Sequence, residues 1–178
     1  MGQIKVFTVG HSTHDFEEFV AILKTNGVES VADIRTVPKS RRHPHFHTDS
    51  LAQSLPEFGI QYEHVARLGG WRKTDPDSVN AGWRNDSFRG YADYAMGREF
   101  AEGLAELRGI ALNRVTAMMC SEALWWRCHR RLVADRLISR GDLVRHIGSD
   151  GKTSVHELTE FAIVGADGQI TYPPEKSG

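Results

Sequence analysis

Only two of the 178 residues are cysteine, Cys120 and Cys128, on either side of a tryptophan pair. Two thiols cannot build the disulfide framework of a small secreted domain, and this pair reads as reduced thiols in a cytoplasmic protein. No apolar run approaches the roughly 18 residues that a membrane span needs, and residues 1–9 lack a basic start followed by a long apolar stretch. Neither membrane insertion nor secretion is indicated. Net charge is scarce too: 22 Lys and Arg against 23 Asp and Glu give −1, so the molecule lacks the general field of a nucleic-acid binder. The chain holds no dinucleotide Gly-x-Gly-x-x-Gly between strand and helix, no Gly-Lys-Ser phosphate loop and no Gly-x-Ser-x-Gly elbow. Nicotinamide, P-loop and α/β-hydrolase chemistry are disfavoured, and no cofactor is indicated.

What is present suits one soluble domain, with 40% apolar and 25% charged residues. A chain of this length buries roughly 70% of the surface it exposes when unfolded, enough to fold without metal or disulfide. Ile4 to Val9 is apolar and β-branched and leads through Gly10-His11-Ser12-Thr13 into the helical spacing of Phe16, Phe19, Val20 and Leu23, with Ser12 or Thr13 as the cap and Gly27 as the stop. Ser30 to Ile34, a basic loop with Pro38 and Pro44, a helix carrying Leu51, Leu55 and Phe58, and Ile60 to Val65 repeat the unit. Residues 68–90 hold four Gly, two Trp and Pro76 without a sustained period, which predicts a long loop or lid. Then come a helical stretch from Tyr91 to Arg108 broken near Gly97, the buried strand Val115 to Met119, a helix from Trp126 to Arg140 and a strand from Leu143 to Ile147. Residues 148–178 read as an irregular extension with short strands at Glu160 to Val164 and Ile170 to Tyr172. This alternation predicts a single-domain α/β fold: a Rossmann-like three-layer sandwich around an open, mostly parallel sheet. Ligands of such sheets bind beyond the carboxyl ends of the strands.

Polar groups gather at those ends: His11 and Ser12, Asp33 and Arg35, His64 and Arg67, then Cys120, Ser121 and Glu122. A helix starting near Trp126 puts Cys128 in its first turn, where free N–H groups and the helix dipole favour a thiolate, with His129 and Arg130 as further donors. Cys128 also stands four residues before Leu132, a position from which it could simply open the helix's buried face. Between Arg35 and His47 the chain carries Arg35, Lys39, Arg41, Arg42, His43, His45 and His47 with no acidic residue. That segment is either a solvated basic loop or a clamp on phosphate, in a nucleotide or a nucleic-acid backbone.

Five motifs occur in order: Thr8-Val9-Gly10-His11-Ser12; Asp33-Ile34-Arg35 through Pro38 and Ser40-Arg41-Arg42; Phe88-Arg89-Gly90-Tyr91; Met119-Cys120-Ser121-Glu122; and Cys128-His129-Arg130-Arg131. Over roughly Ile4 to Ile147 they resemble the bacterial and archaeal family called domain of unknown function 488. The resemblance implies a single cytoplasmic domain with a signature at His11, Ser12, Asp33, Arg35, Arg41, Cys120, Glu122, Cys128, His129 and Arg130.

Three functions compete. The first is an enzyme, a hydrolase or transferase on a small anionic, nucleotide-like substrate: Cys120 is the nucleophile, Glu122 or His11 manages protons, and Arg35, Arg41 and Arg130 hold the anion. The Cys-x5-Arg loop of the Cys phosphatases is missing, because position 126 is Trp. The second is a nucleic-acid binding module that stacks bases on Trp71, Trp83 or Tyr91. The third is a metal site of Cys120, Cys128 and His129 joined by His11, disfavoured by the spacing.

Overall fold

The computed structural model describes residues 2–176. Five parallel strands and one antiparallel edge strand form the main sheet: β1 (Lys5–Gly10), β2 (Ser30–Asp33), β3 (Gln61–His64), β4 (Thr116–Cys120), β5 (Leu143–Ile147) and β6 (Thr153–Val155). Their order is β3-β2-β4-β1-β5-β6. The helices are α1 (Phe16–Thr25), α2 (Thr48–Ser54), α3 (Asp86–Tyr94), α4 (Arg98–Asn113) and α5 (Arg130–Ser139), and a small hairpin of β7 (Ile163–Val164) and β8 (Ile170–Thr171) follows. The fold is therefore the α/β sandwich that the alternation of periods predicts.

Alternate side chains of each strand go to opposite layers, as the pleat requires. Phe7, Val9, Val31, Ala117 and Met119 pack with α1 and α2, whereas Val6, Ala32, Met118 and Val144 pack with α3, α4 and α5. The strands β1 and β4 are neighbours, yet α1 leaves β1 for one face and α5 leaves β4 for the other. Chains that part in this way open a crevice at the carboxyl ends of those two strands.

Side-chain caps set several boundaries. Asp15, not Ser12 or Thr13, caps α1, accepting from the Glu18 N–H at 2.8 Å, and Ser12 sits instead in the left-handed region at φ 48°. Asn85 accepts from Ser87 and Phe88 N–H, so α3 begins before Tyr91. The expected helix from Trp126 does not form: Trp125–Arg127 make one 3-10 turn, Cys128 is extended, and α5 starts only at Arg130. Cys128 thus precedes the helix rather than lying in its first turn. The strand β6, which the sequence reading did not anticipate, pairs Arg145 with Val155 at the sheet edge.

Gly10 ends β1 against the chain that follows β4, and a Cβ there would come within 1.9 Å of the Glu122 carbonyl oxygen. Both atoms are held by backbone, so Gly10→Ala should destabilise the fold by more than about 2 kcal/mol. Gly109, exposed inside α4 with open space around it, provides the contrast: Gly109→Ala should stabilise by about 1 kcal/mol. Urea unfolding of the two variants reads both signs.

Candidate functional site

Cys120 is the last residue of β4 and Cys128 lies between the 3-10 turn and α5. Both are free and buried, and their Sγ atoms are 2.7 Å apart. The Arg130 backbone N–H donates to Cys128 Sγ at 3.4 Å. His129 Nε2 lies 2.9 Å from the Ile34 carbonyl, which makes Nε2 the N–H donor and leaves Nδ1 facing Cys128 Sγ at 3.5 Å. The Tyr91 ring stands 5.0 Å from the imidazole, and Gly70 leaves room for it, since a methyl group there would come within 3.3 Å of Nδ1.

Burial pushes the Cys120 thiol well above its ordinary range, and its contact with Cys128 pushes it further. Burial also opposes a charge on Cys128, but contact with Cys120, the imidazole of His129 and the guanidinium of Arg130 outweigh it and hold that thiol well below its ordinary range. For His129 burial is outweighed in turn by the charge of Cys128 beside it, and the imidazole is raised. These directions divide the pair: Cys128 is the thiol that loses its proton more readily, beside an imidazole that gains one more readily, and Cys120 is the thiol that holds its proton more tightly.

Arg130 is 1% exposed and does not reach a ligand-accessible surface. Its Nη2 donates to the Glu122 carbonyl at 2.6 Å and its Nη1 to Thr8 Oγ1 at 3.2 Å. From Thr8 a buried chain runs on to His146 Nδ1 at 2.7 Å, from His146 Nε2 to His156 Nδ1 at 2.8 Å, and from His156 Nε2 to Asp135 Oδ1 at 2.8 Å. With His146 accepting at Nδ1 from Thr8 and donating from Nε2, the hydrogen bonds run in one direction, from the guanidinium toward the Asp135 carboxyl group. Asp135 also accepts from Thr159 N–H and Tyr172 OH. Trp125 stacks on His146 with ring centres 4.1 Å apart, which explains one member of the tryptophan pair. Burial, with His156 and Arg130 adding to it, lowers the His146 pKa to about 2.

The two thiols and His129 lie at the buried end of a cavity of about 670 Å³, with Val37, Trp71, Phe88 and Tyr91 as apolar walls. Lys39, Arg41 and Arg127 line it as well, are exposed, and have no carboxylate partner among the described residues. Trp71 is 80% exposed and left-handed at φ 60°, a conformation that costs a bulky residue on the order of 1 kcal/mol.

Other signature residues are placed differently. Arg35 borders the cavity, but its guanidinium is spent on Asp33 through Nε at 2.9 Å and Nη2 at 2.6 Å, and on the Phe46 carbonyl. Asp33 is fully buried and also accepts from Tyr62 OH, so this pair supports the loop and leaves the cations of the cavity to Lys39, Arg41 and Arg127. His11 stacks on Phe46, with Nδ1 on the Ser12 carbonyl, and burial lowers its pKa to about 4. With Ser12 it lines a shallower depression that shares Arg41, Ser121 and Glu122 with the cavity. Glu122 is exposed, its carboxylate accepting from Leu124 N–H. Trp83 is buried against Phe88, Phe161 and Tyr172, and Tyr91 is buried too, so neither offers a stacking face to a base. Among the described residues no three His, Cys, Asp or Glu side chains are arranged to hold a metal.

A family model described as domain of unknown function DUF488 matches residues 15–137. The chain belongs to the DUF488 family. No curated protein and no solved structure matches it significantly. The matched span of this DUF488 domain contains both thiols, Glu122, His129 and Arg130, whereas His11 and Ser12 precede it. Sequence reasoning missed Arg127, Phe88 and the role of Gly70 in the DUF488 site. It also missed that Asp33 and Arg35, alternate residues at a strand end and of opposite charge, share a face and pair.

His11 and His146 are neutral in the folded chain at pH values where the unfolded chain binds protons. Stability should therefore fall as pH drops from about 6.5 toward 4.5, by at most about 1.4 kcal/mol per pH unit for each ring. His129 acts in the opposite sense, its contribution being lost as pH rises through its raised pKa. Urea titrations should show His146→Gln with a shallower acid slope, by about one proton; an unchanged slope would contradict a neutral His146.

Proposed function

We propose that this protein is an enzyme, a thiol-dependent hydrolase or transferase in which Cys128 Sγ attacks a small anionic, nucleotide-like substrate at the carboxyl ends of the strands. The observation that carries the reading is the contact of Cys128 with His129 at the buried end of a cavity whose exposed cations lack carboxylate partners among the described residues. Attack by sulfur on an electrophilic centre creates a leaving group, and the His129 Nδ1–H is placed to protonate it. The resulting adduct is released by water or by an acceptor, for which Glu122 at the cavity's edge is the available base. Lys39, Arg41 and Arg127 supply charge for the anion, and Trp71 with Phe88 supplies flat apolar surface for a ring. Relative to the sequence reading the nucleophile moves from Cys120 to Cys128, because the imidazole and the Arg130 N–H both face Cys128.

Alkylation by iodoacetamide, resolved by site and followed from about pH 5 to pH 9, tests the assignment. Cys128 should react with an apparent pKa below the reference of about 8.5, and Cys120 should lag. His129→Asn should move the Cys128 value upward, because it removes the facing charge. Faster labelling of Cys120, or a Cys128 profile at or above the reference, would sink the proposal. Arg127→Ala should weaken binding of a nucleoside monophosphate about tenfold, measured by calorimetry.

A further inference from the structure

Group transfer needs one nucleophilic thiol, whereas this cavity holds two in contact. Cys120 is anchored by the sheet, where it pairs with Gly10, and Cys128 by its N–H on the Trp125 carbonyl at 3.2 Å. The sulfurs are already 2.7 Å apart and have to close to the roughly 2.0 Å of a bond. Both thiols line the cavity, so a small oxidant that enters it reaches them together. Their surroundings are unequal: His129 Nδ1 and the Arg130 N–H converge on Cys128, whereas Cys120 Sγ has the Glu122 carbonyl 3.6 Å away. One sulfur is thus equipped to attack and the other to follow.

We infer that Cys128 and Cys120 act as attacking and resolving thiols, so that the site reduces a hydroperoxide by two electrons and closes a Cys120–Cys128 disulfide. This rests on the reading of Cys128 as the nucleophile and adds an activity to it. In the first step Cys128 Sγ bonds to the terminal peroxide oxygen, the O–O bond breaks, and the departing alkoxide takes the proton of His129, leaving a sulfenic acid and an alcohol. In the second step Cys120 Sγ attacks the sulfenic sulfur, the S–O bond breaks, and the hydroxyl leaves as water with the Cys120 proton. The peroxide gains two electrons and the dithiol loses two. A small external dithiol restores the pair by exchange.

The test uses the full chain, reduced, freed of reductant and given one equivalent of hydrogen peroxide at neutral pH, with intact mass and peptide mapping as the readout. The expected product has lost two hydrogens and yields one peptide pair linked through Cys120 and Cys128. Cys120→Ser should stop at a sulfenic acid that dimedone traps on Cys128, and Cys128→Ser should consume peroxide at least about tenfold more slowly than Cys120→Ser, as expected when the thiolate is lost. Thiols that stay reduced, while Cys128 still alkylates with a low apparent pKa, would overturn this inference and leave the nucleophile assignment standing. Sulfinic acid on Cys128 without a disulfide, or dimedone on Cys120 of the unaltered chain, would overturn the resolving role. The mapping of the unaltered chain decides the matter even where a serine variant fails to fold.

Discussion

The guanidinium of Arg130 is a full positive charge at 1% exposure with no carboxylate in direct contact among the described residues, and the surrounding structure answers that constraint. A buried charge without hydrogen bonds and a counter-charge costs several kcal/mol. The carbonyls of Glu122 and Ala123 take Nη2 and Thr8 takes Nη1, while the buried Nε is without a hydrogen-bond partner among the described residues. A carboxyl group lies only at a distance, Asp135 at the far end of the Thr8–His146–His156 chain, and nearby the sulfur of Cys128 receives the backbone N–H of the same arginine. One side chain thereby ties β1, the turn after β4 and α5 to the electrostatics of the thiols.

The other half of the site comes from the divergence of α1 and α5 to opposite faces at neighbouring strands. There the loop after β2, with Lys39 and Arg41, lines one cavity with Cys120 at the end of β4 and Cys128 before α5. Gly10 and Gly70 permit the two close approaches this requires, the first against the Glu122 carbonyl and the second against the His129 ring. The cavity thus has exposed cations without carboxylate partners among the described residues at its mouth and two thiols in contact at its buried end.

Much of this was legible in the sequence. Glycine stops, alternating periods and the buried run before Cys120 mark the strands and helices, and the cluster of ionisable residues after each strand marks the edge where the cavity lies. Boundaries were less legible where a side chain, not a period, sets them: Asp15 caps the helix for which the sequence offered Ser12 or Thr13, and Asn85 caps one that the apolar spacing starts only at Tyr91. The 3-10 turn of Trp125–Arg127 is the consequential case, since stacking of Trp125 on His146 draws that segment away from helical continuation with α5. His146 and His156, on a closing strand and in the C-terminal extension, carried no local signal.

The sequence by itself determined the α/β layering, the edge at which chemistry collects and the residue types available there, because periodicity and chain order are local properties. Tertiary structure alone decided which of those residues are paired, buried or exposed. Arg35 and Arg41 look alike in a basic loop, yet one is paired with Asp33 and the other is exposed beside the cavity without a carboxylate partner among the described residues. Cys120 and Cys128 look alike as thiols, yet only one faces an imidazole. A side chain's charge, proton and exposure depend on neighbours brought from distant parts of the chain, and the packed fold is what chooses those neighbours.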